Sequence, residues 1–95
     1  MSNIKIVFLS LLTDITNVEE LSLPIEDGVN IRTILEKLTA KFGSKFEEII
    51  FKSSIDLSKY VIITINGKDI RTLDGLNTKV QINDEISFIP AIAGG

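Results

Sequence analysis

Few residue types in this 95-residue chain could do covalent chemistry, because it contains no cysteine and no histidine. Thiolate nucleophiles, disulfides and ordinary zinc sites are therefore excluded. The one side chain whose charge changes near neutral pH is missing too. Nucleophilic or general-base catalysis would have to rest on Asp, Glu, Lys, Ser or Tyr60, and these form no recognisable constellation. What remains is the stretch Ile89-Pro90-Ala91-Ile92-Ala93-Gly94-Gly95. Its reactive group would be a main-chain carboxylate, that of Gly95. Without a Cβ, Gly94 and Gly95 can enter a narrow site and bring the backbone close to a phosphate. A Gly-Gly ending is a weak signal alone, since a loose chain end can carry the same pair. Its meaning rests on what precedes it.

The chain length suits one domain with one small core. Hydrophobic residues make up 44% and the net charge is -3, which is a globular composition and not a disordered one. No window approaches the roughly 20 apolar residues of a membrane span. Met1-Ser2-Asn3 lacks the basic start of a secretory signal. A cytoplasmic location is the expectation. A mildly acidic chain without a basic stripe argues against nucleic-acid binding. These features favour a carrier or binding module over an enzyme.

The elements that would position the tail follow from periodicity. Ile4 to Leu11 reads as a strand with Ile4, Ile6 and Phe8 on one face and Lys5, Val7, Leu9 and Leu11 on the other. Leu12 to Asn17 reads as a polar connection. Glu20 to Pro24 alternates, with Leu21 and Leu23 inward, and Pro24 marks a strand end or an edge. Glu26-Asp27-Gly28 is a turn, and Asn30 is a helix N-cap. Ile31, Ile34, Leu35, Leu38 and Phe42 then form one helical stripe, closed by Lys41 and Gly43. Lys45 to Ile50 predicts a short second helix, and Phe51 to Lys59 an irregular segment. Tyr60 to Ile65 reads as a strand, Asn66-Gly67 as a hairpin turn, and Lys68 to Arg71 as a short returning strand. Leu73 to Thr78 and Asn83-Asp84 are turn-rich. Glu85 to Ile89 is the last strand, with Ile86 and Phe88 inward, and Pro90 ends it.

One helix after a hairpin can cover several apolar strands only if they form a single sheet. The last strand must then lie beside the first. This is an α+β, β-grasp (ubiquitin-like) arrangement: a mixed sheet of four to five strands on one main helix. The expected division is a domain over residues 1–89 and a protruding tail over 90–95.

The same residues resemble the ubiquitin-like sulfur-carrier family, most closely the molybdopterin synthase small subunit (MoaD type). The likeness is strongest from Ile62 to Gly95: Ile65-Asn66-Gly67-Lys68-Asp69-Ile70-Arg71, then Leu73-Asp74-Gly75-Leu76-Asn77-Thr78, Asn83-Asp84-Glu85, Pro90 and Ala93-Gly94-Gly95. Two departures stand out. A single Pro90 precedes Ala91-Ile92 where the family often has Pro-Pro-Val, and Asn83 stands where Asp-Gly is common.

The resemblance implies a non-catalytic carrier. A ubiquitin-activating-type enzyme would adenylate the Gly95 carboxylate with ATP, gripping Pro90, Ile92, Ala93 and Gly94. A sulfur donor would then convert the adenylate to a thiocarboxylate. The larger catalytic subunit of molybdopterin synthase would receive the tail. A protein modifier, joined through Gly95 to target lysines and also serving tRNA thiolation, is the alternative. An inert interaction domain is the third reading. No cofactor or metal would be bound by the chain itself. Strand alternation also places Val7, Leu9, Ile62 and Ile89 together on the sheet face away from the helix, as a docking patch beside the tail. Asp69, Arg71 and Asp74 read first as a solvated loop, and the lysines as solubilising.

Overall fold

The computed structural model describes residues 3–9, 11–26, 28–51 and 61–90. Strand β1 is Asn3–Phe8, helix α1 Leu11–Thr16, strand β2 Glu20–Pro24, helix α2 Ile31–Phe42 and helix α3 Ser44–Ile50. Strands β3 (Val61–Ile65), β4 (Lys68–Asp69) and β5 (Glu85–Pro90) follow, with short 3-10 turns at Ile70–Thr72 and Gly75–Asn77 between the last two. The sheet order is β2-β1-β5-β3-β4. β5 runs parallel to β1 and antiparallel to β3, so the last strand does lie beside the first, in the middle of the sheet. β2 is an edge strand, as Pro24 requires.

Alternation decides which side of the sheet is wet. Ile4, Ile6 and Phe8 of β1, Val61, Ile63 and Ile65 of β3, and Ile86 and Phe88 of β5 are all buried. The α2 stripe Ile31, Ile34, Leu35 and Leu38 is fully buried as well, so helix and sheet share one core. Asn30 caps α2, its Oδ1 accepting from the Thr33 amide at 3.0 Å. Gly43 ends it at φ 86°, in the left-handed region where a Cβ is costly, and its amide donates to the Thr39 carbonyl at 2.8 Å. The Asn66-Gly67 turn has φ of 51° and 87°, the signs a type I′ hairpin needs.

Four phenylalanines knit the end of the core where β1 and β5 finish. Phe8 lies 5.3 Å from Phe88, 5.6 Å from Phe42 and 6.0 Å from Phe46, centroid to centroid. Phe46 is also 6.0 Å from Phe88. Edge-on and tilted pairs of this kind contribute about 0.5–1.5 kcal/mol each beyond area burial.

The structure corrects three expectations. Residues Leu12 to Asn17 are not a polar connection but mostly helix α1. Leu12 is 1% exposed, and the Thr16 hydroxyl donates to its carbonyl at 3.0 Å. Six residues give under two turns, too few for a period to emerge against Thr13 and Asp14. Second, β1 stops at Phe8 instead of Leu11, because the Leu9 carbonyl accepts the Leu12 amide at 3.2 Å and starts α1. Third, the returning strand is only Lys68–Asp69. Asp69 caps the next turn through Oδ1 to the Arg71 amide at 2.9 Å, which drops Ile70 into the core at 1% exposure. Residues 52–60, including Tyr60, lie outside the described residues.

Because Phe88 packs the central strand against Phe8 of β1 and Phe46 of α3, Phe88→Ala should destabilise the fold by about 3–5 kcal/mol. Urea unfolding measures this; a loss below about 1 kcal/mol would contradict the role given to the aromatic cluster.

Candidate functional site

The site begins at the end of β5. The Lys5 amide donates to the Asp84 carbonyl at 3.0 Å and the Leu9 amide to the Phe88 carbonyl at 3.2 Å. Between them the parallel register Lys5↔Glu85 to Phe8↔Phe88 is unbroken. In such a ladder the even-numbered β5 amides face β1 and the odd-numbered ones face β3. The Glu85 amide fits this, donating at 2.9 Å to Asn66 Oδ1 beside β3. The next donor toward β1 would be the amide of residue 90, and Pro90 has none. Its natural acceptor, the Leu9 carbonyl, already serves Leu12. Pairing with β1 thus ends on both strands at the same level. Pairing with β3 still reaches Pro90, opposite Val61. The strand therefore includes Pro90, one residue past the boundary expected at residue 89. Of the expected tail residues only Pro90 is described; Ile92, Ala93, Gly94 and Gly95 lie outside the described residues.

The four expected patch residues are brought together. Ile62 stands directly opposite Ile89 across β3 and β5. Leu9 follows Phe8 on the other flank of β5, and Val7 lies one pleat further down beside Ser87. Directly opposite pairs of this kind have Cβ atoms about 4.5–5.5 Å apart. Leu9 is 41% exposed, while Val7, Ile62 and Ile89 are half-buried. The apolar row is thus at the level where pairing between β1 and β5 stops, next to Pro90. A shallow cleft of about 280 Å³ adjoins it, lined by Val7, Leu9, Thr13, Glu19 and Glu20 among others.

Polarity rises toward the opposite end of this face. Lys5 sits between Glu20 at 3.3 Å and Glu85 at 3.9 Å. Thr64 and Ser87 share the level of Val7, and Thr64 is opposite Asp69. Sequence reading singled out neither Thr64 nor Ser87, although period-two alternation puts both on this face. Asp69 and Arg71 form an ion pair: Arg71 Nη2 is 2.6 Å from Asp69 Oδ2, and Nε is 3.1 Å from both carboxylate oxygens. Asp74 serves the loop differently, its amide donating to the Thr78 hydroxyl at 3.1 Å. The side-chain bond from Arg71, and then its backbone amide, hold the Asp69 carboxyl below its ordinary value of 3.8. Among the described residues no group of His, Cys, Asp or Glu is placed to hold a metal. No described helix is long and apolar enough to cross a membrane.

Comparison with known proteins matches this geometry. The ThiS family matches residues 6–95. A putative sulfur carrier protein of Archaeoglobus fulgidus is 33% identical over 69 residues, covering 73% of this chain and 77% of that protein. The sulfur carrier protein CysO of Mycobacterium tuberculosis is 30% identical over 69 residues, 72% of this chain and 74% of its own. The solution structure of small archaeal modifier protein 1 from Methanosarcina acetivorans superposes with a TM-score of 0.84 at 30% identity, over 100% of this chain and 98% of that one.

A carboxyl whose folded pKa is depressed adds stability above its unfolded pKa and loses it as pH falls through the folded value. For Asp69 that window lies below 3.8. Arg71→Ala should raise the Asp69 titration midpoint toward 3.8, followed by carboxyl NMR. An unmoved midpoint would show that the ion pair does not form in solution.

Proposed function

The chain belongs to the ThiS family of β-grasp proteins, and on that premise we propose that it is a sulfur carrier whose working group is the Gly95 carboxylate. The observation that supports this best is the behaviour of β5. It is bonded on both sides, anchored by Phe88, and stripped of its next donor at Pro90. A rigid strand leading into such a break suits a chain end that must be handed to other proteins.

The chemistry follows from the composition. A carboxylate is a poor electrophile. Attack of a Gly95 carboxylate oxygen on the α-phosphorus of ATP, with loss of pyrophosphate, would give an acyl adenylate. A sulfur nucleophile would then attack the acyl carbon and expel AMP, leaving a thiocarboxylate. The chain has no cysteine, so the sulfur comes from outside and rides on the main chain. It has no imidazole to assist, so the acid–base work belongs to the activating enzyme. Gly95 is a co-substrate position in this scheme, and Gly94, Ala93, Ile92 and Pro90 are what the activating enzyme grips. Two relatives described as sulfur carriers, at 33% and 30% identity, support this reading.

We put molybdopterin formation first as the destination of the sulfur, with the larger synthase subunit receiving the tail. Its support is the likeness of residues 62–95 to MoaD-type chains. Conjugation to target lysines is the second reading, favoured by the likeness over the whole chain to an archaeal modifier. The two share the adenylate and differ in the nucleophile that meets it, sulfur or amine.

Deleting Gly95 should abolish ATP–pyrophosphate exchange with the host activating enzyme while leaving unfolding stability within about 0.5 kcal/mol. Retained exchange would remove Gly95 from its role. The apolar row Val7, Leu9, Ile62 and Ile89 is the docking surface of this scheme. Ile62→Asp should keep a folded circular dichroism spectrum and weaken binding to that enzyme by roughly tenfold or more. Unchanged affinity would place docking elsewhere.

A further inference from the structure

Asn66-Gly67 carries a second kind of chemistry. In an Asn-Gly pair the Gly amide nitrogen can attack the Asn side-chain carbonyl carbon. A C–N bond then forms between Gly67 N and Asn66 Cγ, and the Cγ–Nδ2 bond breaks. Nδ2 leaves as ammonia with the proton that Gly67 loses. Water opens the resulting succinimide at either carbonyl, giving aspartate or isoaspartate. Glycine favours this because no side chain shields its nitrogen.

Here two features oppose the reaction. The first is the turn. Ring closure requires the Asn66 Cβ and the Gly67 nitrogen to be eclipsed about the Cα–C bond. Asn66 has φ 51° and Gly67 φ 87°. In that left-handed region ψ is about +47°, which puts the two atoms on nearly opposite sides of the bond. The hairpin must open before the ring can form. The second feature is the side chain. Its Oδ1 accepts from the Glu85 amide at 2.9 Å, and its Nδ2 donates to Asp84 Oδ1 at 2.8 Å. The Asn66 amide donates in addition to the Glu85 carbonyl at 2.8 Å. Asp84 is itself held, with Oδ2 accepting the Gln81 amide at 2.8 Å. Both ends of the carboxamide are thereby tied to the start of β5.

We infer that Asn66 is a latent deamidation site that the fold holds closed, and that the contact to Asp84 is one of the ties that keep it so. The Glu85 amide polarises the Asn66 carbonyl and on its own would favour attack. Orientation outweighs it, because the carboxamide cannot meet Gly67 while the turn and the tie to β5 persist. The products would weaken the contact that held the site closed. Aspartate at this position would face Asp84 across the contact that now measures 2.8 Å, a like-charge pair without a shared proton. Isoaspartate would add a methylene to the main chain of a two-residue turn. Either product loosens the first residues of the strand that leads to the tail.

The test uses the full chain at mildly alkaline pH, with deamidation of the Asn66 peptide followed by mass spectrometry. Wild type is compared folded and in denaturant. Asp84→Ala removes the charged acceptor, and Ile50→Val is a core control that weakens the fold without touching the turn. Folded wild type should react at least roughly tenfold more slowly than unfolded chain, and Asp84→Ala should recover part of that difference, an unchanged rate in Asp84→Ala removing Asp84 from the account. Ile50→Val should leave the folded rate near that of wild type. Equal rates for folded and unfolded wild type would overturn the inference. So would an acceleration in Ile50→Val as large as in Asp84→Ala, because global unfolding would then control the reaction.

Discussion

A central strand must be bonded on both sides, yet its pairing must also come to an end. β5 meets both demands within six residues. β1 and β3 hold it from either side, and its inward residues Ile86 and Phe88 are fully buried. Release depends on parity. Only even-numbered β5 amides point toward β1, so a proline at position 90 removes a donor from that ladder and none from the β3 side. The same residue placed one position earlier would break the antiparallel ladder with β3 instead. Meanwhile β1 turns away, its Leu9 carbonyl spent on the start of α1. Neither strand leaves an orphaned partner behind.

The rest of the fold backs this junction. The aromatic cluster of Phe8, Phe42, Phe46 and Phe88 sits under it. The outward face changes character along the strands, apolar at Leu9, Ile62 and Ile89 and charged at Lys5, Glu20 and Glu85. The apolar row lies level with Pro90 and the ion-pair group at the opposite end of the same face. The far end of β5 is secured by polar contacts instead. There the Asn66 side chain, Asp84 and the Glu85 amide tie the second hairpin to the strand's first residue.

Much of this was legible in the residues. The α2 stripe has a full helical period over twelve residues, long enough to be unmistakable, and its Asn30 cap and Gly43 stop are local signals. Alternation identified the buried faces of β1, β3 and β5 and so the outward row. Asn66-Gly67 fixed the hairpin because few other pairs accept positive φ twice. What was missed depended on tertiary burial, on strand register and on which of two competing partners a polar group takes. α1 is short, and its helicity comes from burying Leu12 and diverting Leu9, neither visible in a local window. The returning strand was cut short by the Asp69 side chain choosing a nearby amide over a ladder. Pro90 could be read as a strand end, but the ladder it spares requires the register between β1 and β5. The grouping of Val7, Leu9, Ile62 and Ile89 followed from alternation, whereas its position level with the tail root needed that register too.

The central claim is that this body presents a main-chain carboxylate that accepts sulfur. Mass spectrometry of the C-terminal peptide, isolated from the protein's own cells under non-reducing, neutral conditions, tests it most directly. The account predicts a fraction in which one oxygen of the Gly95 carboxyl is replaced by sulfur. Gly95 found only as free carboxylate, or only in amide linkage to lysines of other proteins, would contradict it.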